Sequence, residues 1–553
     1  MQQDALKVGV VLSGASTRTA VCQLLRDVEN KIKEGMFLVI RTKEPRRELL
    51  VRVSEVQSFN EFYEIGDIWS EARRIGQKIP ESMARRYVIC QLEILGRLPD
   101  LCEVTIPPSP GDDVLLLKRS SRLFSKIRKR GLSINFGTIY GYEDSPVPLS
   151  IEALPMHVAI IGVTGSGKSY TMGYLLEKLS SIETKQGKTC MPGFIVDANG
   201  DYLDYYFAFY NNEFDTTYQL IYRFVFPKSY AMIHDSRATP IKIDLNLLNP
   251  RELAELIMDY YKTATGSELA TSLLEDLFRL IKARGYENIN YLFKNDEMFE
   301  SLLEKINELK ANYHHQTIAA AKRALKIFRS DLEVAGVLCA GSEDATINFK
   351  LIDEVTENHE LVILDYSADG ATGVSIKMKQ LIVAYLTILL YKRFVDYKMG
   401  KYPTSDGYNG ARYAMFIIEE AQYYCPNLSV YPIGSSVARE YLSLIATQGR
   451  KFGLSLILIT QRPTFVDPIV MSMMNTYFIH RVSPEDLSYI RRIISGLPES
   501  LVRKLTNLET GALILAGQML PVPFPLVVKI PQRKVHPTIG ATLVSRYLER
   551  KSV

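Results

Sequence analysis

The sequence predicts an α/β fold with a small β-barrel in front of it and a helical bundle inserted into it. Three observations carry that expectation. Residues Gly162–Ser169 (GVTGSGKS) lie between the apolar run Val158–Ile161 and a helical pattern, the strand–loop–helix order of a phosphate-binding P-loop. Tyr413–Glu420 (YAMFIIEE) is an apolar run closed by two acids, as a parallel strand buried on both faces would be. From about Pro250 to Gly341, apolar residues recur at i, i+3, i+4 with no strand pattern between them.

At 553 residues the chain exceeds what one hydrophobic core organises, so two or three domains are expected. Hydrophobic residues at 47% and charged residues at 23% exclude a disordered chain. A net charge of +4 neither demands nor excludes a nucleic-acid partner, because a local basic stripe decides that and not the total. The six cysteines are scattered without a C-x-x-C, which argues against a zinc site and for reduced, mostly buried thiols. His314 and His315 are adjacent and point in different directions, so they make a poor ligand pair. No signal peptide precedes Val8–Leu12, and the most apolar helix, around Leu381–Leu390, falls short of a membrane span. A cytoplasmic protein with no membrane segment is the expectation.

In chain order, residues 1–135 read as the barrel, with strands at Val8–Leu12, Met36–Ile40, Leu49–Val53, Tyr87–Leu95 and Val114–Leu117 separated by Gly and Pro turns. Lys118–Arg130 (KRSSRLFSKIRKR) is the most basic stretch, either a solvated helix face or a contact for a nucleic-acid backbone or a neighbouring subunit. An α/β pattern begins at Ile134 and gives the first part of the core, 136–249. The helical insertion follows at 250–345, with helices at Glu252–Tyr261, Glu268–Ala283, Met298–Ala311 and Thr317–Arg329. The core resumes over 346–520 with strands at Leu361–Asp365, Tyr413–Ile418, Leu454–Thr460, Thr476–Val482 and Ala512–Leu515, and with a long helix at Lys377–Tyr397. Residues 521–553 start proline-rich, so they cannot be a central strand throughout and are expected to wrap a neighbouring surface.

The chemistry follows from the strand ends. Gly162, Gly165 and Gly167 let the backbone N–H groups of Gly162, Val163, Thr164, Gly165, Ser166, Gly167, Lys168, Ser169 and Tyr170 approach a phosphate, with the helix dipole behind them. Lys168 would reach the β/γ-phosphates, and the Ser169 hydroxyl would be a ligand of Mg²⁺. Asp197, which closes the strand Gly193–Asp197, and Asp201, in the turn after it, are each placed either to face the phosphates and metal or to cap a turn. Of the two acids, Glu419 is placed for direct or water-mediated contact with the metal and Glu420 for general-base attack by water. Gln461, at the end of Leu454–Thr460, can hydrogen-bond the γ-phosphate or the water. Arg450, Arg462 and Arg481 compete to supply charge to a transferring phosphoryl group, in many ring ATPases from a neighbouring subunit.

Taken together, Gly162–Ser169, Asp197 with Gly200-Asp201-Tyr202, Glu419-Glu420-Ala421-Gln422, Gly449-Arg450-Lys451, Thr460-Gln461-Arg462-Pro463 and the proline-rich tail resemble the archaeal HerA-type DNA translocases of the HerA/FtsK branch of P-loop ATPases. The resemblance covers nearly the whole chain. It implies a RecA-like core with an N-terminal HAS barrel, a homo-hexameric ring, and ATP- and Mg²⁺-dependent movement along double-stranded DNA. It further implies a NurA-type nuclease as partner, in DNA end resection beside Mre11–Rad50, and Arg450 as the arginine acting in trans. Two departures stand out: Gln422 replaces a frequent His, and Ala446-Thr447-Gln448 stands where the family often has Ala-Arg-Glu. Related motors of conjugation, packaging or defence, a P-loop kinase and a non-motor nucleotide switch are the alternatives.

Overall fold

The computed structural model describes residues 5–63, 66, 69–78, 86–117, 131–261, 267–285, 288–309, 313–368, 373–401, 412–430, 436–494 and 496–535. The basic run Lys118–Arg130, part of the segment between Cys425 and Arg439, and the tail beyond Val535 lie outside or partly outside them. The chain divides into two compact units, one of residues 1–150, 494–508 and 512–531, the other of residues 151–493, 509–511 and 532–553.

The first unit holds a closed barrel of six strands in the order β1-β2-β5-β4-β3-β6. These are β1 Ala5–Val11, β2 Thr19–Leu24, β3 Phe37–Thr42, β4 Arg47–Phe59, β5 Tyr87–Arg97 and β6 Asp113–Leu117. Closure removes the sheet edges that would otherwise pair with other chains. Val8, Val11, Cys22, Leu38, Ile40, Leu49, Val51, Cys90 and Val114 fill its core. Strand β2 is absent from the sequence expectation because its polar Thr19 and Gln23 leave only a short alternating run.

The same unit contains β7 Ser133–Ile139 and β8 Tyr142–Ser150, an antiparallel hairpin, with β20 Leu526–Lys529 pairing both β7 and β19 Ala512–Gly517. Ile134, Phe136 and Ile139 mark one face of a half-buried hairpin strand, and a boundary at residue 135 would cut through it. In the tail, Leu526–Lys529 is a strand paired on both sides, and the prolines at 521, 523, 525 and 531 fall just outside it.

The second unit is built on parallel strands in the order β14-β13-β15-β12-β16-β17-β9-β18. They are β9 Val158–Ile161, β12 Gly193–Asp197, β13 Ile221–Val225, β14 Thr239–Pro240, β15 Leu361–Asp365, β16 Ala414–Ile418, β17 Leu454–Thr460 and β18 Thr476–Ile479; a small hairpin, β10 Ile182–Thr184 and β11 Gly187–Thr189, stands apart. Every residue of β9, β12, β15, β16 and β17 is buried, which is why their sequences are apolar runs and not alternations. The P-loop helix Lys168–Leu179 and the 23-residue helix Ile376–Lys398 belong to this unit.

Over residues 250–345 come helices Pro250–Tyr261, Ser267–Ala283, Ile289–Lys294, Asp296–Glu308 and His315–Ala335. The short Ile289–Lys294 was not foreseen. The Asn288 side chain accepts from the Tyr291 N–H to start it, and Asn295 accepts from the Met298 N–H to start the next helix. The last helix runs beyond Arg329 and stops at Gly336, whose φ of +68° gives the left-handed C-terminal cap. No helix among the described residues is long and apolar enough to cross a membrane.

Candidate active site

Strand order alone brings the chemistry together. Along β12-β16-β17-β9 the C-terminal ends present, in turn, the turn after Asp197, the acids Glu419 and Glu420, the Thr460-Gln461 pair and the P-loop. Parallel α/β sheets gather ligands at that edge. Register tunes the assembly: Thr460 is level with Ile161, and Leu458 with Ile418, which sets Glu420 beside Thr460.

The loop has P-loop geometry. Gly165 and Gly167 take φ values of +72° and +106°, in the left-handed region that glycine tolerates. A Cβ at Gly162 would come within 2.6 Å of His480 Cβ and of Ser166 Oγ. Val163 N–H donates to Arg481 O at 2.9 Å, and Ser166 Oγ to Val163 O at 2.7 Å. Lys168 Nζ donates to Val163 O at 3.2 Å. Burial lowers the pKa of Lys168, and the charges of Glu420, Glu419 and Asp201 oppose that shift. Tyr170 starts the helix behind the loop with its hydroxyl accepting from the Arg533 N–H.

A continuous hydrogen-bonded chain surrounds Glu420. Thr164 Oγ1 donates to Gln461 Oε1 at 2.8 Å, Gln461 Nε2 to Glu420 Oε1 at 2.7 Å, and Gln422 Nε2 to Glu420 Oε2 at 2.5 Å. Thr460 Oγ1 then donates to Gln422 Oε1 at 2.8 Å. Each Glu420 oxygen thus holds one amide donor and keeps lone-pair capacity for water. Gln461 touches the P-loop with one end and the carboxylate with the other, so a change at either reaches both. Gln422 is a clamp on Glu420; no motif spacing announces that role.

Asp197 needs correction. Its Oδ1 accepts from the N–H groups of Asn199, Gly200 and Asp201, and its Oδ2 from Tyr202 N–H at 3.0 Å. Fully buried, it shapes the turn and does not face a phosphate. Burial raises its pKa, helped by Asp365 and Asp201 and opposed by these donors. Arg223 Nη2 in turn pairs with Asp365 at 2.7 Å. The turn that Asp197 holds delivers Asp201, whose Oδ2 accepts from Ser169 Oγ at 2.7 Å. Of the two strand-end carboxylates that the sequence offers here, Asp201 is the one that reaches Ser169, with Gly200 at φ +83° in the turn before it.

Glu419 is buried, with Oε1 accepting from Tyr202 Oη at 2.9 Å and Oε2 lacking a hydrogen-bond partner. Burial first, then Asp197 and Asp201, raises its pKa well above the carboxylate range. A buried acceptor without a donor, beside an Asp201–Ser169 pair of hard oxygens, fits a divalent cation of the Mg²⁺ kind. No cluster of three or more acidic, histidine or cysteine ligands occurs among the described residues.

The arginines separate. Arg462 pairs with Glu485 at 2.7 Å and with Asp486 at 3.0 Å. Arg481 is exposed next to its own P-loop. Arg450 is also exposed, in the turn Gly449–Phe452 before β17, whereas Gln461 follows that strand. Seven strand residues put about 20 Å between those ends, too far for Arg450 to serve the site of its own chain. Gln448 accepts from Tyr391 Oη at 2.8 Å.

Residues 134–390 match the family model described as the central domain of helicase HerA. Over that region the chain is similar to the HerA-type ATPases. The chain is 27% identical over 537 residues to the DNA double-strand break repair helicase HerA of Sulfurisphaera tokodaii, a match spanning 95% of this chain and 92% of that one. It is 25% identical over 452 residues to a probable helicase of Methanocaldococcus jannaschii, with 80% and 76% of the two chains covered. Among solved structures, the bacterial conjugative coupling protein TrwB aligns at a TM-score of 0.49 and 12% identity, over 77% of this chain and 94% of that one.

Proposed function

We propose that this chain is a HerA-type, ATP-driven motor on double-stranded DNA that works in double-strand break repair. The observation that carries the reading is the clamp on Glu420 by Gln461 and Gln422, with Gln461 also bonded to the P-loop. A carboxylate so held accepts a proton from water beside the γ-phosphate, which is hydrolysis; a kinase would need a site for another acceptor. Lys168 and the loop N–H groups bind and orient the β/γ-phosphates. Asp201, Ser169 and Glu419 would hold Mg²⁺, which when bound neutralises charge on the phosphates. The DNA substrate is supported by the repair helicases to which the chain is similar over 95% of its length.

The finer assignment follows the family likeness. The chain forms a hexameric ring, Arg450 reaches the site of the next subunit, and a NurA-type nuclease, beside Mre11–Rad50, resects the ends that the ring moves. The position of Arg450, remote from its own P-loop, favours the ring over a monomeric nucleotide switch. ATP-dependent displacement of a third strand from linear duplex, with a particle mass of six chains, tests the proposal. A particle of one chain, or displacement independent of ATP, sinks it.

A further inference from the structure

A glycine inside the P-loop helix points away from the active site to an unexpected partner. Gly173 lies in the interior of Lys168–Leu179, where glycine is disfavoured relative to alanine. A Cβ there would meet Arg533 Cζ at 2.3 Å and Arg533 Nη1 at 2.4 Å. The helix is therefore notched to receive a guanidinium. Arg533 is 2% exposed and its Nε pairs at 3.1 Å with Glu177, itself 5% exposed. Glu177 further accepts from the N–H groups of Lys534 at 3.0 Å and Val535 at 3.2 Å, so one carboxylate holds three consecutive residues. At the other end of the notch, Arg533 N–H donates to Tyr170 Oη at 2.7 Å and the guanidinium lies 5.6 Å from the Tyr170 ring centroid.

We infer that Arg533 is a positioning residue for nucleotide binding: docked in the Gly173 notch, the segment Gln532–Val535 fixes the first turn of the P-loop helix and thereby raises the affinity of the loop for nucleotide. Tyr170 follows Ser169 directly, so holding its ring and hydroxyl restrains the turn that presents Lys168 and Ser169. Docking is not over-determined. Arg533 Nη2 is buried without a hydrogen-bond partner, a cost that offsets part of the ion pair and leaves the segment able to release. Because binding couplings are reciprocal, nucleotide must favour the docked segment by the factor by which the docked segment favours nucleotide. The inference rests on the reading of Gly162–Ser169 as the nucleotide site.

The test uses the full chain and ADP. In Arg533→Ala the Kd for ADP rises about tenfold or more, with Arg533→Lys in between, since lysine keeps the charge but not the planar fork. Gly173→Ala keeps Arg533 and Glu177 and adds a better helix former, so a merely structural role predicts unchanged affinity; the inference predicts a rise like that of Arg533→Ala. Saturating ADP should also slow tryptic cleavage after Lys534 in the wild type, and not in Lys168→Ala. ADP affinities within twofold of wild type in both Arg533→Ala and Gly173→Ala overturn the inference, as does cleavage indifferent to ADP in a wild type that binds it. A wild type that binds no ADP overturns the P-loop reading and this inference with it.

Discussion

Glu420 sits in the left-handed region, at φ +48° and ψ +50°, one residue after the strand-end acid Glu419. A side chain with a Cβ adopts that backbone only where its surroundings hold it, and here two amide donors on the carboxylate do so. Gln422→Ala removes one donor and frees Thr460, so kcat should fall about 10- to 100-fold with KM little changed, read by steady-state turnover. Asp197→Asn turns one acceptor into a donor against backbone N–H groups. A loss of about 1–3 kcal/mol in denaturant unfolding is expected, with turnover lowered through the displaced Asp201. Full stability in that variant would argue against the turn role. Residue identity was legible where one motif assigns one chemistry, as at Lys168. It was not legible where the role depends on a neighbouring strand: Asp197 and Asp201 are equally acidic in sequence, and only the turn shows which one reaches Ser169.

At the level of elements, His157 ties the site strands together at the edge opposite the chemistry. Its Nδ1 accepts from Leu456 N–H on β17 at 2.9 Å, and its carbonyl accepts from Thr476 N–H on β18 at 3.3 Å. Burial, with the charge of Arg450 adding to it, pushes the imidazole down to about 4. The folded chain therefore binds fewer protons there than the unfolded chain. Its contribution is fully present above the unfolded value of about 6.5 and is lost as pH falls toward 4, about 3 kcal/mol at most. His157→Gln should flatten that part of the stability–pH curve, and an unchanged slope between pH 6.5 and 4 would contradict it. Elements were legible where pattern is strong, as in the apolar runs of β9, β16 and β17 and the amphipathic helices from Pro250 onward. They were missed where an element is short or its pairing non-local: β2 is brief, and β7 with β8 joins β20 from nearly four hundred residues away.

For the whole molecule, the proposed ring makes Arg450, exposed and remote from its own P-loop, the residue that joins chemistry to assembly. Arg450→Ala should spare nucleotide binding and lower hydrolysis about 10³-fold or more. Mixed with Lys168→Ala subunits under exchange, it should regain turnover, because an intact loop then meets an intact arginine. Continued inactivity with exchange confirmed by a label would remove Arg450 from the neighbouring site. The central claim is that Glu420 drives hydrolysis that duplex DNA engages, and the most direct measurement is ATP turnover with and without linear duplex, in the wild type and in Glu420→Gln. The account predicts that duplex stimulates the wild type, while Glu420→Gln binds ATP with near-normal affinity and hydrolyses it negligibly with or without DNA, since the amide keeps the shape but takes up no proton. Turnover indifferent to duplex in the wild type, or substantial hydrolysis by Glu420→Gln, would contradict it.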